Sequence, residues 1–402
     1  MDLGTQKVAV VIAESDEAGQ ISITGVGEAP SEGLRKGVVV NIDRTVQAIQ
    51  DAMVSAERMA GTRVDQVVVS IGGAHLQSQT SRGVVAVTGP NHEISAGDVA
   101  RAIEAAKAVS VASDRQIIHV LPRAFTVDGQ DGVKEAEGMT GRRLEVETHI
   151  VTGAQTFVQN VIKCVHAANL DVEDVVCQGL ASGEGVLTDN EIDLGVCLLD
   201  IGAGTTDVVV YNEGSALHLG VLPVGGNHVT NDIAIGLRTS LDDAENLKLN
   251  YGHTLPQVIP REERIDIHQA GAERPVATPR RYLAEIIGPR MSEIFQLARQ
   301  QVRRSGYDGL LPAGVVVTGG GARLMGTTDA AEAVFDAGVR LGLPAGVGGL
   351  ADRAGAPSFS TGVGLVKWGG ATTPRIEEVR EDREPALSGA FQRTARWFRD
   401  FF

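Results

Sequence analysis

Basic side chains, cysteines, aromatics and long apolar runs are all scarce in this chain of 402 residues, and each shortage excludes something. Lysine and arginine number 36 against 51 aspartates and glutamates, for a net charge of −15. Such a surface repels a phosphate backbone, so nucleic acid is excluded as a general partner. Three cysteines (Cys164, Cys177, Cys197) are an odd count in apolar stretches without a CxxC pair. They read as buried thiols of a reducing, cytoplasmic compartment, not as a disulfide frame or a zinc site. The nine histidines are scattered, with no HExxH or other ligand spacing. The longest clean apolar run, Val8 to Ala13, is too short for a membrane span or a signal peptide.

What remains is ordinary in bulk, with 43% hydrophobic and 22% charged residues. At about 150 residues per domain the length allows two or three domains with real cores. Two imbalances stand out. Glycine is plentiful, 49 residues bunched beside strand-like segments. Aromatics make up only 4% of the chain, yet Phe391, Trp397, Phe398, Phe401 and Phe402 crowd its end.

Hydrophobic periodicity gives a βαβ-rich order. Strands are expected at Lys7 to Ile12, Gln20 to Val26 and Val67 to Ile71, with a helix at Val46 to Met59. Between about Ala74 and Thr148 the pattern changes to a small inserted α/β unit with a helix from Ala96 to Ala108. A helix from Phe157 to Ala168, a strand from Asp174 to Cys177 and a helix from Gly183 to Leu187 close the first half. A second pass then runs strand, glycine turn, strand, strand from Gly195 to Val224. Helices follow at Val229 to Ile235, Asp242 to Asn250 and Pro279 to Arg303, then the strand Gly314 to Thr318.

Two segments are alike. Asp2-Leu3-Gly4-Thr5, with Lys7 behind it, and Asp200-Ile201-Gly202-Ala203-Gly204-Thr205-Thr206-Asp207 each place an aspartate and a glycine turn beside an apolar strand. Glycine lets backbone N–H groups approach a phosphate that a Cβ would hold off, and a nearby aspartate can hold Mg²⁺ through water. Ordinary hairpin turns are the bland alternative, stronger for the first copy than for the second. A third element, Gly319-Gly320-Gly321 after the strand Val315 to Thr318, suits an adenine and ribose lying against bare backbone.

The order of these elements resembles the actin-like ATPase superfold. Within it the chain resembles the FtsA family of bacterial cell-division proteins, which tether FtsZ filaments to the membrane. The resemblance rests on DLGTQK, RKGVVVNID (Arg35 to Asp43), GLASGEGVL (Gly179 to Leu187), GVCLLDIGAGTTDVVVY, DDAENLKLNYG (Asp242 to Gly252), VVVTGGGARLMG and the tail. It covers essentially the whole chain.

The resemblance implies an α/β actin-like fold of two lobes, each with a mixed, five-stranded-type sheet flanked by helices. Residues 1–73 and 149–185 would form the first lobe and 74–148 an inserted subdomain. Residues 186–232 and 305–369 would form the second lobe and 233–304 a helical subdomain. The two lobes would close on ATP and Mg²⁺, with Asp2, Gly4, Thr5 and Lys7 facing Asp200, Gly202, Gly204, Thr205, Thr206 and Asp207. Asp2 and Asp200 would hold the metal through water, and Gly319, Gly320 and Gly321 the adenosine. Glu245 and Lys248 match helix positions that touch ribose and adenine in relatives, a surface i,i+3 pair being the alternative. Gln155 falls near the place of a residue that orients the attacking water. Binding is implied more firmly than hydrolysis, since no residue identifies itself as a base.

One departure concerns the start. Relatives carry about ten residues of strand before the first DxGT, so the native start is expected upstream of Met1. With the short form, Asp2 would sit at a fraying end, and phosphate binding by the first loop would be in doubt.

Residues 370–387 are proline-edged and densely charged, a composition that forms no core. As a flexible linker they would reach about 20–25 Å on average and about 60 Å fully extended. In residues 388–402, Phe391, Ala395, Phe398 and Phe402 fall within about 60° on a helical wheel, flanked by Trp397 and Phe401, with Arg393, Arg396 and Arg399 on the opposite arc. That is the pattern of a helix in the interface of an anionic membrane; docking on the protein's own body is the alternative. Such a helix binds weakly alone, so self-association would supply the multiplicity. The family further implies the C-terminal peptide of FtsZ as partner of the helical subdomain. There Arg290, Arg299, Arg303 and Arg304 would meet an acidic peptide or form a solvated face. Later division proteins would meet the insert, all at the inner membrane at midcell. A pilus-assembly adaptor and a small-molecule phosphotransferase share the loops and stand as alternatives.

Overall fold

The computed structural model describes residues 1–108, 111–271 and 274–372. Two sheets with one and the same strand order organise it. In the first lobe these are β1 (Asp2–Leu3), β2 (Lys7–Ser15), β3 (Ile21–Pro30), β4 (Gln66–Ile71) and β5 (Asp171–Cys177). β1 to β3 form an antiparallel meander, and β4 and β5 run parallel. Met1 joins the halves. Its amine donates to Val68 O at 2.7 Å and its carbonyl accepts from Ser70 N at 2.9 Å, setting β1 beside β4. The order is therefore β3-β2-β1-β4-β5, with Gly348–Gly349 on the outer edge of β3.

The second lobe repeats it with β6 (Val196–Ile201), β7 (Thr206–Asn212), β8 (Ser215–Leu222), β9 (Val315–Thr318) and β10 (Val339–Leu341) in the order β8-β7-β6-β9-β10. β6 reads VCLLDI and is buried at every position, as a strand covered on both faces must be. Its core continues into α4 (Gly226–Leu237), α5 (Leu241–Tyr251) and α6 (Arg280–Ser305) through Ile233, Leu247, Ile287 and Phe295. In the first lobe α1 (Ile42–Ala60) and α2 (Gln155–Ala167) cover the sheet through Ile49, Ala52, Ala56, Val161 and Val165. Asn41 caps α1, its side chain accepting from Arg44 N at 3.0 Å, and Gly61 ends the helix at φ 72°.

The insert is a four-stranded antiparallel sheet in the order 77–86, 143–154, 115–127, 130–133, with the helix Ala96–Lys107 against it. That helix lies close because Gly83 has no side chain; a Cβ there would stand 2.6 Å from Ala106 N.

Two expectations need correction. Asp2 does not fray: it is buried and paired with Ala9, and Met1 beside it is buried too. The helix expected from Gly183 instead begins at Gln178 and runs to Val186 (α3). Its glycines lower intrinsic helix propensity, but tertiary contact overrides that. Gly179 rests on Val209, Gly183 on the Tyr211 ring, and Gly185 on Ser360 and Gly364 of α7 (Ser360–Thr372). The three cysteines are buried free thiols.

Candidate functional site

The two β-hairpins expected to be alike close with the same bond. Gly4 N donates to Lys7 O at 3.0 Å between β1 and β2, and Gly202 N donates to Thr205 O at 2.9 Å between β6 and β7. A side chain at Gly4 would meet Lys7 O at 2.7 Å, so the first turn needs glycine. The second turn is backed by the start of α4, where Gly226 N and Asn227 N donate to Gly202 O and Ala203 O.

Both turns open on one cavity of about 670 Å³ between the lobes. Asp2, Gly4, Thr5 and Lys7 line it from one side; Asp200, Gly202, Thr205, Asp207, Glu245 and Lys248 from the other; Gly319, Gly320 and Gly321 close an end. A smaller cavity of about 160 Å³, between insert and second lobe, holds none of these residues.

The cavity floor is a set of buried carboxylates. Asp2 Oδ1 accepts from Ser70 Oγ at 2.8 Å and Gln178 Nε2 at 3.1 Å. Asp200 Oδ2 accepts a short bond from Ser182 Oγ and one from Thr361 Oγ1 at 3.3 Å. Burial first, and then the Asp2 charge against the Ser182 bond, push the Asp200 carboxyl up to about 6. Asp207 is pushed well above the carboxylate range by burial, then by Asp200 and Asp2, and its Oδ1 has no hydrogen-bond partner among the described residues. A divalent cation bound there would relieve the mutual repulsion. Among the described residues no three side chains are arranged to hold a metal by themselves. An ion there would take its remaining ligands from water and a bound phosphate, as Mg²⁺ commonly does.

Several expected residues are placed differently. Thr206 does not line the cavity; it is fully buried and its hydroxyl donates to Val224 O at 2.8 Å. Gly204 lies at the hairpin tip, where a Cβ would be 2.8 Å from Thr5 Oγ1. Lys7 lines the cavity, but its ammonium pairs with Glu28 and sits 3.7 Å from the Phe359 ring centroid. Gln155 is exposed at the first turn of α2, outside the cavity lining. Gln6 and Gln178 do line it, and Gln178, buried beside Asp2, is the one that the sequence reading missed. Its signal was positional: it opens the helix directly after β5.

Glu245 and Lys248 form a 2.6 Å ion pair, and Lys248 also donates to Thr230 Oγ1 and Gly226 O. Of the glycine run, Gly319 sits at φ 86° against Asp200 and Ile201, and Gly321 against Ile201, whereas Gly320 faces open space. Three of the four arginines offered for an acidic peptide are engaged, Arg290 with Asp232 and Glu293, Arg299 and Arg303 with Asp308. Arg304 makes no ion pair among the described residues and is exposed. The membrane-facing residues Phe391, Arg393, Arg396, Trp397, Phe398, Arg399, Phe401 and Phe402 lie outside the described residues. No helix among those described is long and apolar enough to cross a membrane.

Twin sheets of one order, a hairpin from each at a shared cavity and a glycine-ended strand beside it define a protein of the actin-like ATPase fold. Solved structures agree on the fold. A PilM-PilN type IV pilus biogenesis complex aligns with TM-score 0.65 at 18% identity, covering 92% of this chain and 97% of that one. MreB5 of Spiroplasma citri bound to ADP aligns with TM-score 0.50 at 12% identity, covering 85% and 78%. The family described as "Cell division protein FtsA" matches residues 197–364, and "SHS2 domain inserted in FTSA" matches residues 73–152. Cell division protein FtsA of Pseudomonas aeruginosa is 43% identical over 369 residues, covering 92% of this chain and 88% of that one. The Neisseria meningitidis serogroup B protein is 41% identical, covering 100% and 98%, and that of Escherichia coli K12 is 35% identical, covering 100% and 97%. The chain belongs to the FtsA family, and its role lies in cell division.

Proposed function

We propose that this chain is an ATP-binding adaptor of the division machinery. Its cleft takes ATP with Mg²⁺, its body self-associates, and its terminal helix holds the assembly on the anionic inner face of the membrane. In this reading residues 233–304 receive the C-terminal peptide of FtsZ and the insert (74–148) meets later division proteins. The observation that supports nucleotide binding most is that both aspartate–glycine hairpins and the Gly319–Gly321 run line one interlobe cavity.

Each group has work to do there. The N–H groups of Thr5 and Thr205 would bind phosphate oxygens, those of Gly4 and Gly202 being spent on closing their turns. Asp2, Asp200 and Asp207 would hold the hydrated Mg²⁺, which screens phosphate charge when bound. The Glu245–Lys248 pair and Gly320 would seat the nucleoside. Gln178 reaches the cavity while its amide donates to Asp2, Leu3 O and Ser70, which fixes its orientation. It therefore replaces Gln155 as the residue to orient a water, and slow hydrolysis is the expected chemistry.

Calorimetric titration of the full chain with Mg²⁺-ATP tests the cleft, and absence of any binding overturns it. Co-sedimentation with anionic liposomes tests the tail. Phe398→Glu or Trp397→Glu should release the protein while leaving ATP binding intact, and unchanged sedimentation ends the anchoring reading. Retention of the FtsZ C-terminal peptide by the full chain, and its loss on changing the 233–304 surface, tests the partner.

A further inference from the structure

The two hairpins touch a third piece of backbone that the nucleotide reading leaves without a role. Lys36 and Gly37, in the connection between β3 and α1, are consecutive left-handed residues at φ 51° and φ 75°. A lysine in that region is uncommon and is kept only where surrounding contacts fix it. Here they do. Gly37 N donates to Thr5 Oγ1 at 3.1 Å, tying the turn to the first hairpin. A Cβ on Gly204 would lie 3.0 Å from Lys36 Cα and 3.1 Å from Lys36 N, so the tip of the second hairpin rests directly on the same turn. Gly37 in turn backs on Gly73, whose N would stand 2.7 Å from an added Cβ. One short turn of the first lobe thus supports the phosphate hairpins of both.

The cations that line the cleft are committed or misplaced for this spot. Lys7 is held by Glu28, and Lys248 by Glu245. Arg323 stands beyond the Gly319–Gly321 run, on the nucleoside side. Lys36 does not itself line the cavity, but its turn adjoins Thr5 and the hairpin tip between Ala203 and Thr205, which do. Its side chain is exposed and makes no hydrogen bond or ion pair among the described residues. Its charge reaches His228 in the first turn of α4, a ring held below its ordinary range first by burial, with the Lys36 and Arg290 charges adding to that against a raising hydrogen bond to Gly225.

We propose that Lys36 is the residue that distinguishes a nucleoside triphosphate from a diphosphate, its ammonium meeting the terminal phosphate where the two hairpin tips converge. The argument is one of position. A nucleotide seated with its base at Gly320 must extend its phosphates toward those tips, so only the outermost phosphate reaches the Lys36 turn. A free cation on a backbone pinned by both hairpins gains a charge-assisted bond with the third phosphate and none with the second. The turn would also carry that information between lobes, since Gly37 holds the first hairpin and Lys36 backs on the second. This inference rests on the nucleotide assignment of the cleft.

The test is calorimetric titration of nucleotide-free full-length protein with Mg²⁺-ATP and Mg²⁺-ADP, for the wild type, Lys36→Gln and Lys36→Arg. Lys36→Gln should weaken ATP by about tenfold and leave ADP within about twofold, while Lys36→Arg retains most of the preference. Because Lys36 is exposed, both variants should fold, which circular dichroism checks. If Lys36→Gln leaves the ATP-to-ADP ratio unchanged, or weakens both nucleotides equally, the inference is wrong although the cleft assignment stands. A wild type that binds neither nucleotide overturns the cleft assignment and this inference together.

Discussion

Gln178 and Ser182 stand four residues apart on one face of α3 and hold one aspartate from each lobe, Gln178 through Nε2 to Asp2 and Ser182 through Oγ to Asp200. A single helix thereby sets the spacing of the two carboxylates across the cleft. Ser182 also lies 2.9 Å from Thr361 Oγ1, which reaches the same Asp200 oxygen. Ser182→Ala removes the nearer donor from a buried carboxyl and should cost about 1–3 kcal/mol in urea unfolding. Gln178→Ala should cost a similar amount, and the double variant should depart from additivity by more than about 0.5 kcal/mol if the helix acts as one spacer. Strict additivity would show two independent anchors.

Glycines in this chain divide by what an added methyl meets. Gly364 of α7 abuts the Ala181 carbonyl of α3 so closely that a Cβ cannot be placed without separating the helices. Gly364→Ala should destabilise the fold by about 3 kcal/mol. Gly320 meets nothing within 4 Å and faces the cavity. Gly320→Ala should therefore keep the melting temperature within a degree or so of wild type yet weaken ATP binding about tenfold or more. Equal thermal loss in the two variants would contradict this division.

Acid should destabilise the fold through two buried rings on strands of the insert's sheet. His119 and His149 are buried, and desolvation is the main force lowering both rings to about 4. His119 Nε2 accepts from Cys177 N at 3.0 Å, while neither nitrogen of His149 has a partner among the described residues. The folded protein thus binds fewer protons than the unfolded chain, whose histidines titrate near 6.5. These two groups leave stability at its full value above about pH 6.5 and withdraw it as pH falls toward about 4, by up to about 3 kcal/mol each. Denaturant midpoints across pH 4 to 8 would show the slope. His149→Leu should raise stability at neutral pH by about 1 kcal/mol and remove its own share of the acid loss, because it deletes an unpaired buried polar ring.

Thr205 and Thr206 are neighbours with opposite duties. Thr206→Val should lower stability by about 1–2 kcal/mol, through the lost bond to Val224 O, with ATP affinity unchanged. Thr205 lines the cavity, so Thr205→Val should do more to binding than to the unfolding midpoint. Paired calorimetry and urea titration separate the two.

Local signals carried the strands, the glycine turns and the insert, because each is written in a few adjacent residues. Asp200 to Asp207 could be recognised as a phosphate-type hairpin, yet which of its hydroxyls faces the cavity could not. That depends on the segment after β8 supplying Val224 O from eighteen residues on. Gln155 and Gln178 both open helices after strands, and only the three-dimensional placement of β5 beside β4 brings the second one to Asp2. The same holds for Lys7, whose partner Glu28 comes from the neighbouring strand. Met1 and Asp2 looked like a loose end because the hairpin to Ala9 holds them on one side alone. Their partners, Val68 and Ser70, lie nearly seventy positions away.

Gln77 and Thr152, the first and last paired residues of the insert's stem, lie opposite each other on adjacent antiparallel strands. The chain leaves the first lobe and returns to it through one doorway two strands wide. Evolution can thus exchange everything beyond that doorway as a cassette, retuning what the molecule recruits without redrawing the nucleotide-binding frame behind it.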